Sequence, residues 1–156
     1  MTDIKTEFLT EEKVAIVTLN RPKKLNSLTW ASFNELKIVM EDLNKKDVRC
    51  IVLKGEGQHF SAGLDLSSAM SMSSINSSQL DPARTAFQFF NTVKPLQDSV
   101  SSLENVRVPV IAAIWGFCIG AGVDLSSACD IRLCTKDTKF TIKEVDVGLA
   151  ADIGTL

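Results

Sequence analysis

Histidine, paired cysteines and charge of one sign are what this chain has least of. His59 is the only histidine. It stands two residues from Ser61 with no acid spaced to orient it, which argues against a Ser-His-Asp or Cys-His mechanism. The four cysteines, Cys50, Cys118, Cys129 and Cys134, form no CxxC pair. Three of them lie in apolar runs, so they read as buried free thiols in a reducing compartment and not as a disulfide framework or a zinc site; no metal site is expected. The 17 basic and 19 acidic residues are interspersed and leave a formal net charge of -2, so there is no basic face for nucleic acid, and the expected partner is a small molecule. The longest apolar run, over 108–122, is interrupted by Pro109 and by glycines and falls short of a membrane span. The opening Met1-Thr2-Asp3-Ile4-Lys5-Thr6-Glu7 carries early acids and no apolar h-region, so no targeting signal is visible there.

What is present suits one globular domain: 156 residues with 45% hydrophobic content are enough for a single core. Phe8-Leu9-Thr10 and Val14-Ala15-Ile16-Val17-Thr18-Leu19, separated by polar residues, read as a hairpin. The segment 20–27 contains Pro22 and two lysines, Lys23 and Lys24, and is a loop that could meet an acidic ligand. Trp30, Phe33, Leu36, Val39, Met40 and Leu43 recur at helical spacing, and Arg49-Cys50-Ile51-Val52-Leu53-Lys54 follows as a strand, which predicts a parallel crossover with the helix over one face of a sheet.

The stretch Gly55-Glu56-Gly57-Gln58-His59-Phe60-Ser61-Ala62-Gly63-Leu64-Asp65-Leu66 comes directly after that strand, where open α/β sheets place ligands. It is neither GxGxxG, nor a P-loop, nor a GxSxG elbow. Residues 67–78, rich in serine and holding Met70 and Met72, read as a mobile or loosely helical segment over the site. Asp81-Pro82 opens a helix reaching Glu104, with Pro95 expected to kink or divide it and the phenylalanines at 87 and 90 expected in the core. Then come a strand over 108–115, a glycine-rich turn, a helix over 120–128, and strands over 130–135 and 139–143. This alternation argues for α/β with helices layered on a largely parallel sheet.

The glycine-rich turn Gly116-Phe117-Cys118-Ile119-Gly120-Ala121-Gly122-Val123-Asp124 opens a helix and so presents unpaired backbone N–H groups, a site for an oxygen that is or becomes negative. Acids follow among apolar and small residues in Lys143-Glu144-Val145-Asp146-Val147-Gly148-Leu149-Ala150-Ala151-Asp152. Of these, Asp146 reads as a solvated surface charge, whereas the small, apolar neighbours of Asp152 suit a buried one.

Phe60-Ser61-Ala62-Gly63-Leu64-Asp65-Leu66, Gly116-Phe117-Cys118-Ile119-Gly120-Ala121-Gly122 and Cys129-Asp130-Ile131-Arg132, in this order, resemble the crotonase (enoyl-CoA hydratase/isomerase) superfamily. The segment 143–156, ending Ala151-Asp152-Ile153-Gly154-Thr155-Leu156, is similar to the Δ3,5-Δ2,4-dienoyl-CoA isomerases. The resemblance runs from Val14 onward. It implies an α/β crotonase-like (ClpP/crotonase) spiral of ββα units over residues 1–156, stopping before the C-terminal helices that complete the pocket and the trimer contacts.

In function the resemblance implies isomerisation of 3,5-dienoyl-CoA to 2,4-dienoyl-CoA in unsaturated fatty-acid beta-oxidation. The backbone N–H groups of Leu64 and Ala121 would form the oxyanion hole, Ala121 standing where glycine is commoner. Asp124, Glu144 and Asp152 would be the acids, with Glu144 and Asp152 transferring protons at C2 and C6 and Asp124 orienting Glu144. The backbone around Ala62 would meet the CoA adenine and Lys24 the CoA phosphates. No separate cofactor is implied, since coenzyme A belongs to the substrate. The implied assembly is a homotrimer or hexamer and the implied compartment a peroxisome or mitochondrion, with any C-terminal signal beyond Leu156. The alternatives are an enoyl-CoA hydratase and a non-catalytic acyl-CoA-binding protein.

Overall fold

The computed structural model describes residues 2–68, 81–148 and 150–154. The chain opens with an antiparallel pair, β1 (Ile4–Leu9) and β2 (Val14–Leu19), in which Leu9 faces Val14 and Ile4 faces Leu19. The first strand begins four residues before the Phe8 start expected from sequence. On this outer edge strand only Ile4 is buried, so no apolar alternation marks it.

Helix α1 (Trp30–Leu43) starts at a reciprocal cap: Thr29 Oγ1 accepts from the Ser32 N–H and Ser32 Oγ accepts from the Thr29 N–H, each at 3.1 Å. Its buried side chains, Phe33, Leu36, Met40 and Leu43, fall at the helical spacing read from sequence. β3 (Cys50–Gly55) then pairs parallel with β2, as the crossover predicts. Asp81 caps α2 (Pro82–Glu104), its Oδ1 accepting from the N–H groups of Ala83 and Arg84.

α2 runs as one helix through the point where a kink or division was expected. Pro95 does not divide it: the residue is exposed, and so is Asn91, whose carbonyl loses its helical donor there and can turn to water. Nor are its phenylalanines in the core. Phe87 is 66% exposed and Phe90 57%, because burial along this helix begins only at Val93, where it reaches α1.

β4 (Val110–Ile114) lies parallel beside β3, and β6 (Ile131–Cys134) parallel beside β4, giving a five-stranded sheet in the order β1, β2, β3, β4, β6. A second layer is built from shorter pieces. β5 (Phe117–Ile119) pairs parallel with β7 (Lys139–Thr141), Ser61 bridges Cys118, and Leu28 bridges Leu64. The order across this layer is therefore Leu28, segment 61–64, β5, β7. It repeats the order of β2, β3, β4 and β6 in the large sheet, so each unit contributes once to each layer, as a spiral of ββα units requires. β5 was hidden in sequence because glycines at positive φ, Gly116 and Gly120, bracket it and its partners are remote.

Helix α3 (Ala121–Ser127) follows β5, with Gly120 at its N-cap. A 3₁₀ turn at Lys143–Val147 ends at Gly148 in the left-handed region. The core, which includes Phe33, Met40, Ile51, Leu53, Phe60 and Leu103, lies among the large sheet, α1 and α2. Cys118 and Cys129 are buried as expected, Cys50 is half-buried, and Cys134, expected within an apolar strand, is exposed on the edge strand β6. Among the described residues no helix is long and apolar enough to cross a membrane.

Candidate active site

The segment after β3 is held by backbone pairing. The N–H groups of Phe60 and Ser61 donate to the carbonyls of Trp115 and Phe117, both at 2.9 Å. Ser61 is fully buried; its hydroxyl donates to the Asn26 carbonyl at 2.8 Å and accepts from the Gly63 N–H at 3.1 Å, so it shapes the turn and is no nucleophile. Gly63 has φ +88, and a Cβ there would come within 2.7 Å of the Ile119 carbonyl oxygen. At this close approach only glycine fits.

The bridge between Leu28 and Leu64 uses the Leu28 N–H to the Gly63 carbonyl and the Asp65 N–H to the Leu28 carbonyl, both at 2.8 Å. The Leu64 N–H takes no part. It lies on the opposite edge of the Gly63 peptide plane, and it has no acceptor among the described residues.

Ala121 is the first residue of α3, so its N–H has no intrahelical partner, and it too has no acceptor among the described residues. Its φ is negative, so the methyl group replacing the commoner hydrogen adds no backbone strain. The two amides are neighbours: a Cβ on Gly63 would lie 3.4 Å from the Ala121 nitrogen.

Two of the three expected acids lie around Gly120, the residue before Ala121. Asp124, in the first turn of α3, is 1% exposed, and its N–H donates to the Gly120 carbonyl at 3.2 Å. The Glu144 carboxylate reaches Gly120, where a Cβ on the glycine would lie 2.9 Å from Oε1. Its Oε2 is buried and has no hydrogen-bond partner among the described residues. A carboxylate oxygen so placed carries an unmet demand for a proton or a donor.

Asp152 departs from expectation, being exposed. Its backbone is anchored, since the carbonyl accepts from Gln97 Nε2 at 2.7 Å. The small residues that suggested burial do their packing at Gly154, where a Cβ would meet Val100 Cγ1 at 2.7 Å and Asp124 Cβ at 3.4 Å. Asp146 is exposed and pairs with Lys143, the surface charge it was read as.

Lys24, Ala62 and Leu64 come together along a cleft of about 640 Å³ that also takes in Lys23, Leu25 and Leu66. His59 is structural: its Nδ1 accepts from the Phe117 N–H at 3.2 Å, and its ring stacks on Phe117 with centroids 4.2 Å apart. Burial pushes the Cys118 thiol up to about 11, with the nearby Asp124 charge adding to the rise, and burial pushes Cys129 up to about 12, so neither is a nucleophile at neutral pH. Met70 and Met72 lie outside the described residues.

Sequence reasoning missed Asn26, Arg21 and Asp65. Buried Asn26, at φ +54, sends Nδ2 to the carbonyls of Glu56 and His59 at 2.8 Å each and accepts the Arg21 N–H on Oδ1 at 2.9 Å, so it pins the lysine turn to the segment before Leu64. Asparagine tolerates the left-handed region, and that tolerance was the available signal.

The Enoyl-CoA hydratase/isomerase family profile matches residues 9–156. The chain is 45% identical over 148 residues to the peroxisomal Delta(3,5)-Delta(2,4)-dienoyl-CoA isomerase of Arabidopsis thaliana, an overlap of 94% of this chain and 53% of that protein. It is 46% identical over 149 residues to the mitochondrial Delta(3,5)-Delta(2,4)-dienoyl-CoA isomerase of Mus musculus, covering 94% of this chain and 45% of that protein. Among solved structures, an enoyl-CoA hydratase of Mycobacterium smegmatis superposes with a TM-score of 0.79 at 27% identity, over 97% of this chain and 55% of that one. The chain spans about half the length of the relatives it matches.

Proposed function

The chain belongs to the enoyl-CoA hydratase/isomerase family and carries its α/β crotonase fold, and from that premise we propose that the protein isomerises 3,5-dienoyl-CoA to 2,4-dienoyl-CoA. The observation that carries this reading is the convergence of two amides, Leu64 and Ala121, with a buried carboxylate oxygen of Glu144, none of them having a hydrogen-bond partner among the described residues.

The thioester oxygen accepts from both amides. One carboxylate takes a proton from C2, the negative charge spreads through a dienolate whose oxygen the amides stabilise, and a carboxylic acid returns a proton at C6. Glu144 and Asp152 serve the two ends, and Asp124, buried beside Gly120, orients Glu144. Asp152 takes its apolar cover from the bound acyl chain, its backbone being already anchored by Gln97. The backbone at Ala62 receives the adenine and Lys24 the phosphates, along the cleft they share with Leu64. Coenzyme A arrives as part of the substrate, and no separate cofactor enters. The place in metabolism is unsaturated fatty-acid beta-oxidation, in a peroxisome or mitochondrion as the relatives' names have it, in a homotrimer or hexamer.

Two assays run together test this reading: appearance of conjugated product from a 3,5-dienoyl-CoA, and hydration of a 2-enoyl-CoA. Activity on the dienoyl substrate is expected, with Glu144→Gln and Asp152→Asn each losing about 10²- to 10⁴-fold in kcat. Activity on the enoyl substrate alone overturns the reading in favour of a hydratase. Tight thioester binding without either reaction favours an acyl-CoA-binding role.

A further inference from the structure

Immediately after the Leu64 amide stands Asp65, for which the proton transfer has no use. Its side chain is only 13% exposed. Oδ2 accepts from Arg21 Nη1 at 3.0 Å and from Ser27 Oγ at 3.2 Å; Oδ1 accepts from the Ser67 N–H at 3.1 Å and Ser67 Oγ at 2.5 Å. Arg21 Nη1 also donates to the Ser27 carbonyl at 2.6 Å. Its backbone carbonyl accepts from the N–H groups of Lys24 at 2.8 Å and Asn26 at 2.9 Å.

The arrangement has a clear mechanical sense. Leu28 and Leu64 form an isolated bridge of two backbone hydrogen bonds with no strand to continue it. Ser27 and Asp65 are the residues flanking that bridge, one on each side, and the Arg21 guanidinium grips both. A partly buried, charge-assisted contact is short and little screened by salt, so it can hold a bridge that two neutral bonds alone would let fray. The same arginine begins the turn that carries Lys23 and Lys24.

We propose that Arg21 and Asp65 are a positioning pair: they clamp the bridge between Leu28 and Leu64, keep the Leu64 N–H aimed at the thioester oxygen, and join that amide to the lysine turn that meets the nucleotide end of the same substrate. This rests on the thioester-binding reading of the site. Neither residue touches the reacting atoms, so both act through the Leu64 amide. A small misplacement of an oxyanion donor costs rate far more than it costs binding, so Asp65→Asn lowers kcat by about 10- to 100-fold and leaves KM little changed.

Two measurements on the whole chain decide it. Nitrogen-15 relaxation of the ligand-free protein reads the order of the Leu64 amide directly: Asp65→Asn and the milder Arg21→Lys lower it, while the Ala121 amide stays as in the wild type. Infrared difference spectroscopy with a saturated medium-chain acyl-CoA, carbon-13-labelled at the thioester carbonyl, reads the polarisation of that bond: the shift to lower frequency on binding shrinks in Asp65→Asn and is retained in Ser67→Ala, which leaves the ion pair intact. A Leu64 amide as ordered in Asp65→Asn as in the wild type, or a carbonyl shift unchanged in that variant, overturns the proposal. If the wild type binds no thioester, it is the reading of the site that fails, and relaxation at Leu64 still decides the clamp.

Discussion

Gly120→Ala perturbs the point where the helix cap and the Glu144 carboxylate meet. Gly120 has φ +49 and ψ -119, a conformation L-residues scarcely populate, and forcing alanine into it costs about 2 kcal/mol. The added Cβ would also lie 2.9 Å from Glu144 Oε1, so the carboxylate must retreat by several tenths of an ångström, at a cost of about 1 kcal/mol. The structure supplies its own control in Gly148, at φ +70 and ψ 26, where a Cβ meets no described atom within 4 Å. Gly148→Ala carries only the ordinary left-handed penalty of about 1 kcal/mol. At about 2–4 °C per kcal/mol for a chain of this size, thermal melts followed by circular dichroism should fall by about 6–12 °C for Gly120→Ala and about 2–4 °C for Gly148→Ala. On the proposed mechanism the isomerase rate falls in the first variant and survives in the second. Equal losses of melting temperature, or full activity in Gly120→Ala, refute the inference that Glu144 rests against this glycine.

Asn26→Ala strips partners from the carbonyls of Glu56 and His59 and from the Arg21 N–H; a loss of about 3 kcal/mol in urea unfolding is expected, and a loss under half that size contradicts the pinning role. The Asp65 carboxyl is held at about 2, below its ordinary 3.8, chiefly by the Ser67 hydroxyl, with the Ser67 N–H, Arg21 and Ser27 adding to the effect. Since the folded state binds its proton less readily, the stabilisation is complete above pH ~4 and disappears as pH falls through ~2. Discounted for solvent screening it is about 1 kcal/mol, and Asp65→Asn should narrow its stability gap from the wild type over that acid range. A thiol reagent should modify exposed Cys134 first and leave Cys118 and Cys129 unreacted in the native state; rapid labelling of either buried thiol would contradict their burial.

What was legible in sequence is what local chemistry dictates. The spacing of Phe33, Leu36, Met40 and Leu43 marked α1, Asp81 before Pro82 marked the start of α2, and the glycine density around Gly120 marked the start of α3. What was not legible depends on partners far away in the chain. β5 is a strand only because Ser61 and β7 flank it. Phe87 and Phe90 sit at helical spacing, yet they stand before the point where the helix starts to bury side chains. Asp152 stands among small residues that pack, while its own side chain does not. The candidate amides were placed by resemblance, whereas their availability as donors shows only in the bonding pattern: the bridge employs the neighbours of Leu64 and spares Leu64 itself. Arg21 and Asp65 are 44 positions apart, and no periodicity connects them.

The parallel strands β2, β3, β4 and β6 are laid side by side in the order in which the chain runs. Among the described strands of this sheet, none inserts between two earlier ones. During synthesis each segment that leaves the ribosome meets an edge already standing, so the large sheet can grow vectorially, its most recent strand serving as the template for the next. The candidate site inherits that timetable: the Leu64 turn is in place before the Ala121 turn exists, and Glu144 and Asp152 follow both.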